Sequence, residues 1–283
     1  MTSTVPANEI RATQRQTWDT FAPGWEKWDA VVQGMLGPVG QEMIRSLEVR
    51  PDGHHLDVAA GTGEPGLTVA AIANAGRVVL TDLSPVMLAA AGRRAAELGL
   101  DNVETRECSA DALPFDDATF DTVSCRFGFM FFPDISETAA ELVRVLKPGG
   151  RLSAAVWAGP EDNPWATVAG EAVATEVDVP PPPTDAPGMF RCAAPGMLSA
   201  AFEAAGLHDL TESDVPLAIA TATPEDYWQL VTDCTAPVVA VLSQLDEATR
   251  QRIADAAVAG VRARCGDGPV RLDGMARCVG GRR

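Results

Sequence analysis

Residues 54–70 read HHLDVAAGTGEPGLTVA. The run HLDVAA (55–60) has the apolar content of a strand. A turn follows with Gly61, Gly63 and Gly66 in G-x-G-x-x-G spacing. A helix is expected from Glu64 to Asn74, with Pro65 in its first turn, where a missing N–H costs nothing. Glycines admit positive φ and let a ligand approach the backbone. The helix N-terminus behind them offers N–H donors to an anionic group. One residue complicates the pattern: Asp57 stands inside the strand, four residues before Gly61.

The pattern continues outward. RVVLTDL (77–83) reads as a second strand, and Ser84 caps a helix running from Pro85 to about Leu98. VETRECSA (103–110) and FDTVSCRF (120–127) are the third and fourth strands. Asp134 with Glu137 opens a helix that carries Leu142, Val143 and Leu146 on one face. KPGG (147–150) ends it before a fifth strand, RLSAAVWA (151–158). A helix at 194–205, a sixth strand LHDLTESDV (207–215) and a closing strand RLDGMARCVGGRR complete the rhythm. The fold class predicted is α/β: a Rossmann-like, seven-stranded, mostly parallel sheet with helices on both faces.

The flanks differ from this core. Residues 8–48 read as helical, with Trp18, Phe21, Trp25 and Trp28 crowded there. Residues 224–264 read as two or three helices inserted before the last strand, and PPPPTDAPG (180–188) as a loop. The expected layout is one domain over 1–283. It has an N-terminal helical lid (1–48), a ligand-binding core (50–160) and a substrate-side region (161–283) bearing the helical lid insertion.

Asp57 decides between ligands. A buried carboxylate must be paired or strongly hydrogen-bonded. It would repel a pyrophosphate held on the helix end, whereas it would pair with an ammonium. S-adenosylmethionine carries an α-ammonium and a sulfonium, so it suits this acid better than a dinucleotide does. Asp57 as a structural cap on the helix N-terminus is the competing reading. Asp82, 19 residues past Gly63, ends the second strand, where a carboxylate can accept both ribose hydroxyls. NAD folds also carry that acid, so it does not discriminate.

LDVAAGTGEPG (56–66), VVLTDLSPVML (78–88), CSADALPFDDATFDTVSCRFGFMFFPD (108–134) and LKPGGRL (146–152) stand in one order. With these motifs the chain resembles the class I S-adenosylmethionine-dependent methyltransferases, in the small-molecule branch similar to ubiquinone and menaquinone biosynthesis enzymes. The likeness spans roughly residues 18–158. It implies a cofactor site of Asp57, Ala59, Gly61, Gly63, Asp82, Leu83, Met87, Ala110, Asp111, Ala112, Arg126 and Phe127. By the same likeness Asp82 holds the ribose, Asp111 the adenine amino group and the Ala112 N–H the adenine ring. Arg126 and Phe127 close the methionine end, and Trp25 lies near the cofactor. Ala59 departs from the pattern by standing where the family has its first glycine. Phe129 and Met130 are expected near the substrate, with Phe127, Phe129 and Phe131 on one face if the strand continues that far.

The implied activity is methyl transfer from S-adenosylmethionine, leaving S-adenosylhomocysteine, to a small apolar or aromatic metabolite. Methyl transfer is an in-line displacement whose rate can come from positioning and desolvation. A catalytic base is not identified. Of three histidines, His54 and His55 start the first strand and His208 opens the sixth, all at the end away from the ligand. Tyr227, Asp226 and Asp233 lack support. An NAD-type oxidoreductase and a cofactor-binding protein without turnover are the alternatives, and a thiol-using arsenic methyltransferase would need Cys192, Cys234 and Cys265 together. Net charge is −17, which repels nucleic acid and anionic membranes. No metal site is expected, since the six cysteines show neither C-x-x-C nor zinc-ligand spacing. With no leader-like or membrane-spanning run, a cytoplasmic protein is expected. Its partner is a small-molecule substrate, and a homodimer stays open.

Overall fold

A computed structural model describes residues 5–178 and 186–283. The chain order is α1 (Ala7–Lys27), α2 (Asp29–Leu47), β1 (His54–Val58), α3 (Gly66–Ile72), β2 (Arg77–Asp82), α4 (Pro85–Glu97), β3 (Val103–Glu107), β4 (Phe120–Arg126), α5 (Ile135–Val145), β5 (Leu146–Trp157), α6 (Pro164–Ala174), α7 (Met197–Ala204), β6 (His208–Thr221), α8 (Pro224–Cys234), α9 (Ala236–Leu242), α10 (Glu247–Cys265) and β7 (Val270–Arg282). The seven strands lie in the order β3-β2-β1-β4-β5-β7-β6. β7 runs antiparallel to both of its neighbours, β5 and β6, whereas the pairs from β3 to β5 are parallel. The order reverses at β1, between β2 and β4, so the carboxyl end of β1 is the crevice where such sheets bind ligands.

Local chemistry sets the element ends. Ser84 accepts the Met87 N–H at 3.0 Å and Asp134 the Glu137 N–H at 2.8 Å, as their cap positions predict. Asp246 and Thr223 cap α10 and α8 in the same way. Alternation on β2 separates the two faces of the sheet. Val78 and Leu80 pack with Leu67, Val69 and Leu88 of α3 and α4, while Val79 joins the larger cluster with Val123, Leu142 and Leu152.

Several expectations need correction. Residues 8–48 form two helices, broken at Trp28. The helix after the glycine turn starts at Gly66, and Pro65 caps it after a cis peptide bond from Glu64. The fourth strand stops at Arg126. Phe127 takes φ 60° and Phe129–Phe131 form a 3-10 turn, so the alternation of phenylalanines does not extend there. β5 already starts at Leu146, and β6 runs on to Thr221. The helix α6 has no counterpart in the sequence reading. Residues 179–185 of the expected 180–188 loop lie outside the described residues. No described helix is long and apolar enough to cross a membrane.

Candidate functional site

The glycine turn leaves β1 through two residues in the left-handed region. Ala59 has φ 55° and Gly61 φ 54°. Ala59 occupies the first glycine position of the motif, a conformation that costs an alanine about 1–2 kcal/mol. Gly128 makes room for its methyl group: a side chain there would come within 2.9 Å of Ala59 Cβ. The three motif glycines serve different needs. A Cβ on Gly63, at φ 111°, would meet Leu67 at 2.6 Å, and one on Gly66 would meet Leu80 at 2.3 Å and Asp57 at 2.8 Å. Those two are required by packing of α3 on the sheet. A Cβ on Gly61 would meet nothing within 4 Å. Its backbone borders open space, which is where a ligand has room.

Asp82 ends β2 beside this turn. Its Oδ2 accepts the Gly61 N–H and its Oδ1 the Ser84 N–H, both at 2.9 Å. Burial raises its pKa, against those N–H groups. A carboxylate has about four lone-pair sites, so two amides fix its orientation and leave capacity for a diol. Leu83 beside it is half-buried, and Met87 is buried. Asp57 is fully buried. Its Oδ2 accepts the Gly66 N–H at 3.0 Å and its Oδ1 the Ser124 O–H at 2.5 Å. Burial pushes its pKa up to about 7, against the pull of the Ser124 hydroxyl, Arg126 and the Gly66 N–H. The structure thus gives Asp57 the capping partner of the competing reading.

Arg126, at the end of β4, is half-buried. Its electrostatic neighbours are Asp57, Glu64, Arg94 and Asp29, yet no carboxylate of the described residues comes within ion-pair distance of it. A guanidinium in that position offers a fork of donors to a ligand carboxylate. Phe127 follows at φ 60°, with its ring stacked on Trp157 at 4.2 Å. Asp111 lies in the segment after β3. Arg11 of α1 reaches it with its guanidinium at 2.5 Å, and Ser109 donates to it as well. Partial burial pushes its pKa up, but the bonds from Arg11 and Ser109 outweigh that and hold it low. Ala110 is buried, and the Ala112 N–H donates to the Ser109 carbonyl at 3.2 Å. No sequence signal linked Arg11 to Asp111, which are 100 residues apart.

Trp25 is half-buried, donates its indole N–H to the Cys234 carbonyl at 3.3 Å and meets Trp18 edge-on at 6.0 Å. Trp18 meets Phe131 at 5.4 Å. Phe129 and Met130 are fully buried, Phe129 between Phe132 and Phe202. Packing accounts for both. The candidate bases are committed elsewhere. Tyr227 is buried and donates to the Trp165 carbonyl, Asp226 accepts the Thr223 hydroxyl, and Asp233 takes Lys27 and Trp28. His54 and His208 are exposed. Among the described residues no group of three His, Cys, Asp or Glu could hold a metal ion.

Comparison with known proteins bears on this arrangement. Residues 56–150 match the family model described as a methyltransferase domain. An uncharacterised protein of Mycobacterium tuberculosis is 37% identical over 160 residues, 56% of either chain. Demethylmenaquinone methyltransferase of Thermus thermophilus is 47% identical over 97 residues, 34% of this chain and 44% of its own. The chain therefore spans only about half the length of the curated relatives it matches. The crystal structure of the YcgJ protein of Bacillus subtilis shares the fold at TM-score 0.56 and 20% identity, over 86% of this chain and 97% of its own. Residues 56–150 thus match a methyltransferase domain, and the strand order on which they lie agrees with that likeness.

Proposed function

We propose that the chain transfers the methyl group of S-adenosylmethionine to a small apolar or aromatic metabolite. The match of residues 56–150 to a methyltransferase domain carries this reading, and the geometry that agrees with it centres on Asp82. It is fixed by two backbone amides at the carboxyl end of β2, next to the open space at Gly61. The residues present fit the cofactor. Asp82 would take the ribose hydroxyls, Asp111 the adenine edge, Arg126 the methionine carboxylate, and Leu83, Met87 and Ala110 the apolar surfaces. The cofactor supplies a methyl group activated by a positive sulfur. The chain's own residues then have two tasks, to hold the acceptor in line and to exclude water.

Trp18 and Trp25 of α1 with Phe131 provide half-buried aromatic surface, and Phe127 adds a ring stacked on Trp157, which favours a planar or apolar acceptor. None of the three histidines lies at this end, since His54 and His55 start β1 and His208 starts β6. The reading is therefore methylation of carbon, of nitrogen, or of a hydroxyl that is already acidic. We assign α1 the role of a cover over the nucleoside end, through Arg11 on Asp111 and Asp19 on Ser84.

Calorimetric titration with S-adenosylmethionine, S-adenosylhomocysteine and NAD side by side tests the class. The sulfur cofactors should bind and NAD should not. Asp82→Ala should weaken S-adenosylhomocysteine by about 1–3 kcal/mol, the cost of unpaired ribose hydroxyls. Affinity equal to wild type would remove Asp82 from the ribose site.

A further inference from the structure

A polar stripe crosses the centre of the sheet beneath the glycine turn. On β1, His55 and Asp57 alternate with Leu56 and Val58. On β4, Thr122 and Ser124 alternate with Val123 and Cys125. The parallel register sets His55 beside Thr122 and Asp57 beside Ser124. The four polar side chains therefore share one face, the face on which α3 begins. All four are buried, and buried polar groups cost free energy unless each is bonded.

With Asp57 ionised, these groups are satisfied in one direction. Ser124 donates to Asp57 Oδ1 at 2.5 Å, which uses its only proton. The 2.9 Å contact between Ser124 Oγ and His55 Nε2 then needs the ring proton on Nε2. Burial keeps this imidazole neutral, with its pKa pushed down to about 3. Nδ1 is therefore an acceptor, and Thr122 donates to it at 2.8 Å. The chain ends on Asp57, whose other oxygen holds the Gly66 N–H at the first residue of α3.

We propose that His55 and Ser124 are positioning residues for the cofactor loop. The one-way chain from Thr122 through His55 and Ser124 aims the Asp57 carboxylate at the Gly66 N–H and so holds the glycine turn in its binding shape. Its consequence for binding rests on the cofactor reading above, whereas the chain itself is a property of the protein alone. It gives His55 a task at the end of β1 remote from the ligand, where no proton transfer to a substrate can reach.

The test uses the full chain at pH 8. Nitrogen-15 NMR should find His55 as the neutral Nε2–H tautomer, and the Gly66 amide should exchange slowly. Ser124→Ala and His55→Leu each break a link. Both should speed Gly66 exchange and weaken S-adenosylhomocysteine about tenfold by calorimetry. His55→Gln keeps a side-chain N–H donor and an acceptor, and should restore affinity to within about threefold of wild type. If His55→Leu fails to fold, Ser124→Ala, which removes one oxygen, carries the test. An Nδ1–H tautomer, or Gly66 exchange unmoved in Ser124→Ala, overturns the chain. Faster exchange with unchanged affinity overturns its role in binding. Wild-type protein that binds no S-adenosylhomocysteine overturns the cofactor reading and the binding role with it, while tautomer and exchange still decide the chain.

Discussion

Asp57 and His55 are joined through one serine, and their titrations pull stability in opposite directions. The Asp57 carboxyl has its pKa raised from 3.8 to about 7 by burial. Between those values the folded protein binds more protons than the unfolded chain. This contribution to stability is therefore full below about pH 4 and is lost as pH rises through 7. The His55 imidazole has its pKa lowered by burial from 6.5 to about 3. Here the unfolded chain binds more protons, so stability is full above about pH 6.5 and is lost as pH falls toward 3. Between about pH 4 and 6.5 the two slopes offset each other. Asp57→Asn should leave the histidine slope, so that stability relative to wild type rises with pH by up to about 1.4 kcal/mol per unit. His55→Gln should leave the aspartate slope, of opposite sign. Urea unfolding at several pH values across that window measures both. Slopes of the same sign in the two variants would show that the groups do not titrate as buried partners.

At the scale of elements, the glycine turn separates a binding glycine from a packing glycine. Gly61→Ala meets no atom, so its cost to the fold is the left-handed backbone alone, about 1–2 kcal/mol. It also puts a methyl group into the space beside Asp82. Gly63→Ala adds a clash with Leu67 to the same backbone cost, and should lose more than 2 kcal/mol. We expect Gly61→Ala to lose cofactor affinity while keeping most of its stability, and Gly63→Ala to lose stability first. Thermal unfolding beside calorimetric titration separates them, and the reverse ranking would exchange the roles given to the two glycines. Much of this region was legible in the sequence. Its strands are short apolar runs bounded by glycines and capping residues, and Asp57, Asp82, Ser84 and Asp134 occupy positions with a chemical reason.

Other elements left no such trace. Phenylalanines continue past Arg126 in strand-like alternation, and a backbone turn at Phe127 ends the strand without a proline. The helix α6, PWATVAGEAVA, is apolar on most sides, so it shows no stripe. The break at Trp28 carries no glycine or proline, while Pro23 and Pro38 lie inside the helices they would be expected to end. The long-range partners of the site, Arg11 with Asp111 and Gly128 with Ala59, depend on the packing of distant segments. Local pattern does not encode such pairs.

Across the whole molecule the two N-terminal helices are held by different forces. α2 buries seven residues, from Val32 to Leu47, whereas α1 buries only Phe21 and Ala22 over 21 residues. The remaining attachments of α1 include ion pairs: Arg11 with Asp111 at 2.5 Å, Arg15 with Glu107 at 2.7 Å, Glu26 with Arg93 at 2.5 Å and Lys27 with Asp233 at 2.7 Å. The last three are exposed pairs, each contributing at most about 1 kcal/mol and weakening with salt, whereas Arg11 grips a nearly buried Asp111 carboxylate that salt screens less. A helix with little buried apolar surface belongs to the low-stability part of a fold. Raising salt to about 0.5 M, where charges are screened within a few ångström, should therefore speed amide hydrogen exchange over residues 7–27. Exchange in β1 and β4, which are held by the apolar core, should stay unchanged. The double variant Arg11→Gln with Arg15→Gln should exchange faster over the first half of α1 at low salt and respond less to added salt there, while Glu26–Arg93 and Lys27–Asp233 keep the second half salt-sensitive. Two of the pairs close on the segment that ends β3 and carries Asp111, so the same variant should also change the rate at which S-adenosylhomocysteine enters. Salt that leaves α1 exchange unmoved would mean that its half-buried tryptophans, and not its charges, hold it over the crevice.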